Sequence, residues 1–549
     1  MQKAPGAPAG QMKSYVVFLG SVLALCQSVQ HSDEMHHHAE PIQKLGTVSF
    51  PISCSSNVQK PFELGVALLH SYWYEEAEKQ FEEVAAKDPA CAMAYWGQAM
   101  TLHRPAYSQP SAQDLKRGWE LVQKARVAGA KTARERGYID ALAGFYAGDK
   151  VDYERRAAAW CAGMEGVYAG NPKDQEAAAF YALSLLVSEP QDDKTLANSR
   201  KAIEILNRLL EEAPSHPGAA HYLIHAADNP NLAKLGLPAA RRYTQIAPAA
   251  PHALHMPSHI FARLGLWQED IQSNLASLTA ARQPSSMHIG AENQVHAMEF
   301  LEYAYLQVGL DNKAKEMIEQ MQSVREEDLN PGLDGYLDWQ RAQFPARYAL
   351  ELRHWKEVLA LEPSTTEPRA RAVTYWARAI GAGHSRDVAT ARDAVAQYDA
   401  MVETVRKGDR AYRAKYMETN RDEARAWLSF AAGKDDEAVN LLRSIAERQD
   451  TFGKGEVELP AREMLADMLL EVHRPQEALI EYEKSLKTDP NRFNGLYGAG
   501  RAAELAFQPG KAAGYYTQLL KNCETQEPSP RLEIAHARAF LAQMKTPPN

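Results

Sequence analysis

Strand signals are what this sequence has least of. From about Pro61 onward no run alternates apolar and polar residues in the strand manner, with a period of two. That excludes sandwiches, barrels and doubly wound sheets as the main architecture. Cysteine is scarce, five in 549 residues, so a disulfide-dense scaffold is excluded as well. No basic block stands out and the net charge is −9 with histidine neutral, so a nucleic-acid backbone is not an expected partner. Past residue 25 no uninterrupted apolar run is long enough to cross a bilayer, and no transmembrane segment is expected in the mature chain. No nucleophile elbow surrounds Ser258, and no Glu directly follows His221 or His255, which excludes the metalloprotease helix signature. The catalytic residues are therefore unknown at this level.

What is present begins with a targeting pattern. Lys13 precedes a short apolar run, Tyr15 to Leu25, and polar residues follow from Gln27. This reads as a signal peptide over 1–26, with Met12 a candidate true start, and implies export to a periplasmic or secreted location. Cys26 invites a lipid anchor, but Leu25 before it is not the small residue such a site takes. Residues 27–57, with the tract His36 to His38, read as a flexible segment. Four cysteines then remain. Cys54 and Cys91 flank the first helical pair and are the candidate disulfide; buried free thiols are the alternative.

From about Pro61 onward, Ala- and Leu-rich amphipathic stretches alternate with breaks at Gly, Pro and Asp. The unit Leu64-Gly65, Leu68, Ala77, Phe81, Pro89 returns as Leu465-Ala466, Leu469, Ala478, Tyr482, Pro490. Small residues let paired helices approach, the aromatics fill the gap between pairs, and the prolines close each unit. Gly500, Ala512 and Tyr516 continue the series, and Met298–Met321 and Ala424–Ile445 follow it more loosely. The pattern resembles the tetratricopeptide-repeat family, and His221–Trp267 is similar to exported bacterial members of it. The resemblance implies an all-α, right-handed solenoid of helix pairs with a concave groove for a protein or peptide. We divide it into arrays over 58–330 and 331–549, with insertions at Pro105–Ser111 and Glu189–Ala197.

Histidines recur in register. His221 and His225 lie seven and eleven residues after Pro214; His255 and His259 lie seven and eleven after Pro248, one 34-residue unit on. A spacing of four puts both rings on one helix face, and His252 and Asp228 extend the two stripes. The family resemblance implies that these first helices face the groove. Neutral imidazoles with a carboxylate suit a transition metal, Zn, Cu, Ni or Fe. The candidate ligands are His221, His225, His252, His255, His259 and Asp228, with further candidates in His70 and His103 toward the ends of the first helices of the first two units, His296 and Glu299 on an equivalent face, and His288 in a connecting loop. Pro257 inside the second stripe implies a kink there. Groove hydrogen-bonders and core histidines are the alternatives. The expectation is an exported scaffold that binds a protein or peptide and carries a His-rich metal centre. A metalloenzyme or metal-handling protein on the same frame, and a metal-free assembly factor, stand beside it.

Overall fold

The computed structural model describes residues 45–545 apart from 107, 191–192, 284–288, 331, 409, 526 and 528. The proposed signal segment, Cys26, the tract His36 to His38 and His288 lie outside the described residues. The chain is an all-α solenoid: among the described residues every regular element is a helix, and each helix packs on the next in an antiparallel-hairpin succession. No helix among them is long and apolar enough to cross a membrane.

Local chemistry sets the units. Ser111 and Thr132 open helices with capping boxes, and Asp152, Asp174 and Asp387 cap others. The turn inside many helix pairs places one residue in the left-handed region: Gly265, Gly309 and Gly433, but also Tyr72, Arg353, Arg386, His473 and Phe507. Between pairs, the ring of Phe81 lies flat on Gly65 and Gly97, where a methyl group would come within 2.7 and 2.4 Å of it. Tyr482 fills the same place over Gly498. The aromatics Trp73 and Trp96 are buried packing residues.

The solenoid closes on itself. The helix Gln59–His70 packs across Pro217–Ala227, and Glu292–Gln307 packs on Phe493–Leu505. Buried Arg492 joins these distant turns by bonding Glu351, Glu463 and the Tyr303 hydroxyl, while Trp267 donates to the Asn491 carbonyl at 2.8 Å. At the first histidine repeat the inner face thus meets the end of Gln59–His70, whose His70 carbonyl accepts from His221. Residues 45 onward form one compact unit, and Glu292–Gln307 packs on Tyr336–Glu351 across residue 330.

One expectation is corrected. Residues 45–57 are not a flexible tail: Leu45 and Phe50 are buried, and Phe50 packs on Phe62, Trp96 and Tyr138. Apolar side chains at alternate positions dock this segment, and the Cys54–Cys91 disulfide ties its end to the second helix pair.

Candidate metal centre

The helix Pro217–Ala227 begins at His216, whose ring accepts from the Ala219 amide, and Pro217 occupies its first turn. It carries His221 and His225 on one face. The equivalent stretch one repeat on is broken. Pro251–His255 ends at Met256 and Pro257–Leu264 starts anew, because Pro257 has no amide to donate. His255 and His259 nonetheless stay on one side, with Nε2 atoms 3.0 Å apart.

The rings assemble into two sets of three. In the first, Nε2 of His221 lies 3.1 Å from Nε2 of His225 and 3.1 Å from Nε2 of His252. In the second, His255, His259 and His296 bring one nitrogen each within 4.8 Å of one another. Each set takes two histidines from one repeat and the third from the next, so the sets are related by one repeat step. The rings of His225 and His259 are 6.3 Å apart, and those of His252 and His255 6.2 Å.

Behind the sets, the opposite nitrogens of three rings are held. His221 Nδ1–H donates to the His70 carbonyl at 2.6 Å, which leaves its Nε2 lone pair directed at the other two rings. Asn274 donates to Asp270, so its carbonyl oxygen faces His255 Nδ1 at 2.7 Å and accepts from it. His259 Nδ1–H donates to Asp228 at 3.0 Å and Glu456 at 3.1 Å. Such outer partners choose the tautomer in which Nε2 can ligate. Burial holds His221, His252 and His255 well below the usual imidazole range, with the neighbouring imidazoles adding to the effect, and His225 at about 3. Burial also opposes charge on His259, yet Glu456 and Asp228 outweigh it and raise the ring to about 10. Aromatic walls enclose both sets. Tyr72 stacks on His225 and His252 at 5.4 Å, and Phe300 lies 4.8–5.4 Å from the three rings of the second set. A cavity of about 420 Å³ opens onto His225, His252, His259 and His296 and is bordered by Tyr72, Tyr336 and Arg413.

The other candidates fall elsewhere. Asp228 sits on the Nδ1 side of His259, is paired with Arg263 at 2.9 Å, and forms with His259 and Glu456 a further group whose potential ligand atoms lie within 4.8 Å of one another. His70 belongs to a separate buried network: Nε2 on Glu176 at 2.7 Å, Nδ1 on the Tyr222 hydroxyl at 2.9 Å. His216 reaches Glu176 at 3.1 Å. That network is satisfied by hydrogen bonds, with Nδ1 of His216 already accepting. His103 is buried against Phe145 and Trp160, away from the sets, and burial lowers it to about 3. Glu299 pairs with Arg347 at 2.9 Å and with His296 at 3.4 Å. Sequence reasoning missed Glu456, Arg263, Asn274 and Phe300. Glu456 lies 197 residues from His259, and no local signal marks it.

No protein-family model matches the chain, and no curated protein is significantly similar to it. Among solved structures it is similar to a human IFIT1 dimer with m7Gppp-AAAA, at 14% identity over 79% of this chain and 90% of that one, with a TM-score of 0.36. It is also similar to the P58(IPK) TPR domain, at 14% identity over 89% of this chain and all of that one, with a TM-score of 0.21.

Proposed function

We propose that this helical-repeat protein is a metalloprotein holding two transition-metal ions, one in each three-histidine set, and that its cavity admits a small ligand to them. The observation that carries this reading is the convergence of ring nitrogens in both sets while the opposite nitrogens of His221, His255 and His259 are tied to acceptors. In the first set, one lone pair on His221 faces two other ring nitrogens at 3.1 Å. A hydrogen bond satisfies one such neighbour; a cation satisfies all three. Three protein ligands beside a cavity leave a coordination position open, as in reactive rather than purely structural sites. This favours the metalloenzyme or metal-handling reading over a purely peptide-cradling scaffold. We further propose export. The Cys54–Cys91 bridge supports an oxidising compartment.

Elemental analysis of untagged protein tests the metal reading. His225→Ala and His296→Ala each remove one half-exposed ligand, one per set. We expect two ions in the parent chain and one in each variant, with unchanged helical circular dichroism. A metal content of zero, or one that neither substitution lowers, overturns the proposal.

A further inference from the structure

The two sets contain no carboxylate among their ligands. Imidazole ligands carry no negative charge to offset the ions. Asp228 and Glu456 stand close by, but both face Arg263, at 2.9 and 3.4 Å, on the far side of His259. Near the cavity, Glu75 is held by Arg104 and Asn330, and Glu292 by Asn330. Coulomb repulsion scales with the product of the charges, so two divalent ions at this spacing repel about four times as strongly as two monovalent ones. The site therefore suits a pair of monovalent ions with a preference for imidazole nitrogen, or a divalent pair that acquires an anionic bridge. Copper satisfies both conditions. It stands highest in affinity for nitrogen donors among the divalent first-row metals and also has a stable monovalent form.

Resting on the metal reading above, we infer that the paired sets hold two Cu(I) ions and bind dioxygen between them. Each Cu(I) gives one electron, two Cu(II) ions result, and the dioxygen becomes a bridging peroxide dianion. No proton is needed, and the O–O bond stays intact. The net charge of the site is two positive before and after, so the surrounding low-dielectric shell need not reorganise around a new charge. The repeat step delivers the geometry. Rings from the two sets lie 6.2–6.3 Å apart, and His225, His252 and His296, which border the cavity, have room to adjust as a small ligand bridges the ions. Tyr72 and Phe300 supply apolar walls that keep bulk water from the bound dioxygen.

The test loads metal-free full-length protein with Cu(I) without air, then admits dioxygen. We expect two copper ions per chain, uptake of one dioxygen per copper pair, an intense near-ultraviolet charge-transfer band and no electron paramagnetic resonance signal, because the two Cu(II) spins couple. His296→Ala should hold one copper and show neither the band nor the uptake. Zn(II) offered alone should bind tightly at one ion per chain. Two copper ions bound with the resonance signal of isolated Cu(II) overturn the dioxygen inference and leave the metal reading standing. Two zinc ions bound as tightly as two Cu(I) ions overturn the charge argument on which it rests. Failure to bind two coppers overturns the copper inference, and elemental analysis that finds no ion of any metal, or a content that neither His225→Ala nor His296→Ala lowers, removes the metal reading itself.

Discussion

At the scale of the residue, a histidine in this protein is defined by what holds its ring. His103 shows the contrast with the six of the candidate centre. Its ring centre lies 3.7 Å from that of Phe145 and 4.5 Å from that of Trp160, and neither nitrogen meets a hydrogen-bond partner. A polar group buried so costs about 1–3 kcal/mol. Burial lowers its pKa from 6.5 to about 3, so the folded state keeps it neutral while the unfolded chain takes up a proton below pH 6.5. Its contribution to stability is therefore whole above pH 6.5 and lost as pH falls toward 3. His103→Leu keeps the volume and removes the titration. We expect the variant to be at least as stable as the parent near neutrality, and its advantage to widen on acidification. Thermal unfolding of both proteins across that pH range checks this, and melting temperatures that fall in parallel would contradict it. The other buried histidines titrate in both proteins, so the difference isolates this one.

At the scale of the element, the centre depends on how closely two helices meet. Gly218 stands in the first turn of Pro217–Ala227, where an added methyl would lie 2.3 Å from Nδ1 of His70. That ring cannot retreat, because Glu176 and Tyr222 hold both nitrogens. Alanine is better than glycine inside a helix by about 1 kcal/mol. We expect the clash to outweigh it, with Gly218→Ala costing about 1–3 kcal/mol overall. Displacing His70 also moves the carbonyl that orients His221. The substitution should therefore weaken metal binding at the first set more than at the second, which calorimetric titration resolves; equal weakening of both would refute the coupling. This level also shows what the sequence makes legible. The two pairs 34 residues apart, the helical faces and the break at Pro257 are all local properties of period and proline chemistry. The division into two sets is not, since each third histidine comes from the following repeat. His296 follows His252 by 44 residues because a longer connection intervenes, so the repeat period alone does not align them. His70 ends the helix Gln59–His70, and Glu176 and His216, from other helices, take it into a different network.

At the scale of the molecule, closure changes how a repeat array behaves. An open solenoid is held by nearest-neighbour interfaces, and its ends unfold separately. Here Arg492, fully buried, bonds Glu463 at 2.9 Å within its own region, Glu351 at 2.8 Å, and Tyr303 from the central repeats. Asn494 adds a bond to Glu351 at 3.0 Å, and Arg531 pairs with Asp311 at 2.6 Å. Contacts spanning 141–220 residues therefore make the C-terminal repeats share the fate of the central ones. No local motif announces these arginines, because their partners are set by the return of the superhelix. Removing one member of a buried ion pair costs about 3–5 kcal/mol, since its partners stay buried and charged. We expect the parent chain to melt in one transition, with near- and far-ultraviolet dichroism coincident. Arg492→Ala should split it, the residues after 461 unfolding first and several degrees lower, with early hydrogen exchange confined to them. The His259–Glu456 link runs through the same seam. Loss of the C-terminal turn should therefore also loosen the second histidine set, while the first, braced by Gln59–His70, persists. A single undisplaced transition in the Arg492→Ala protein would show that the turns do not stabilise one another, and that the centre draws its rigidity from its own repeats.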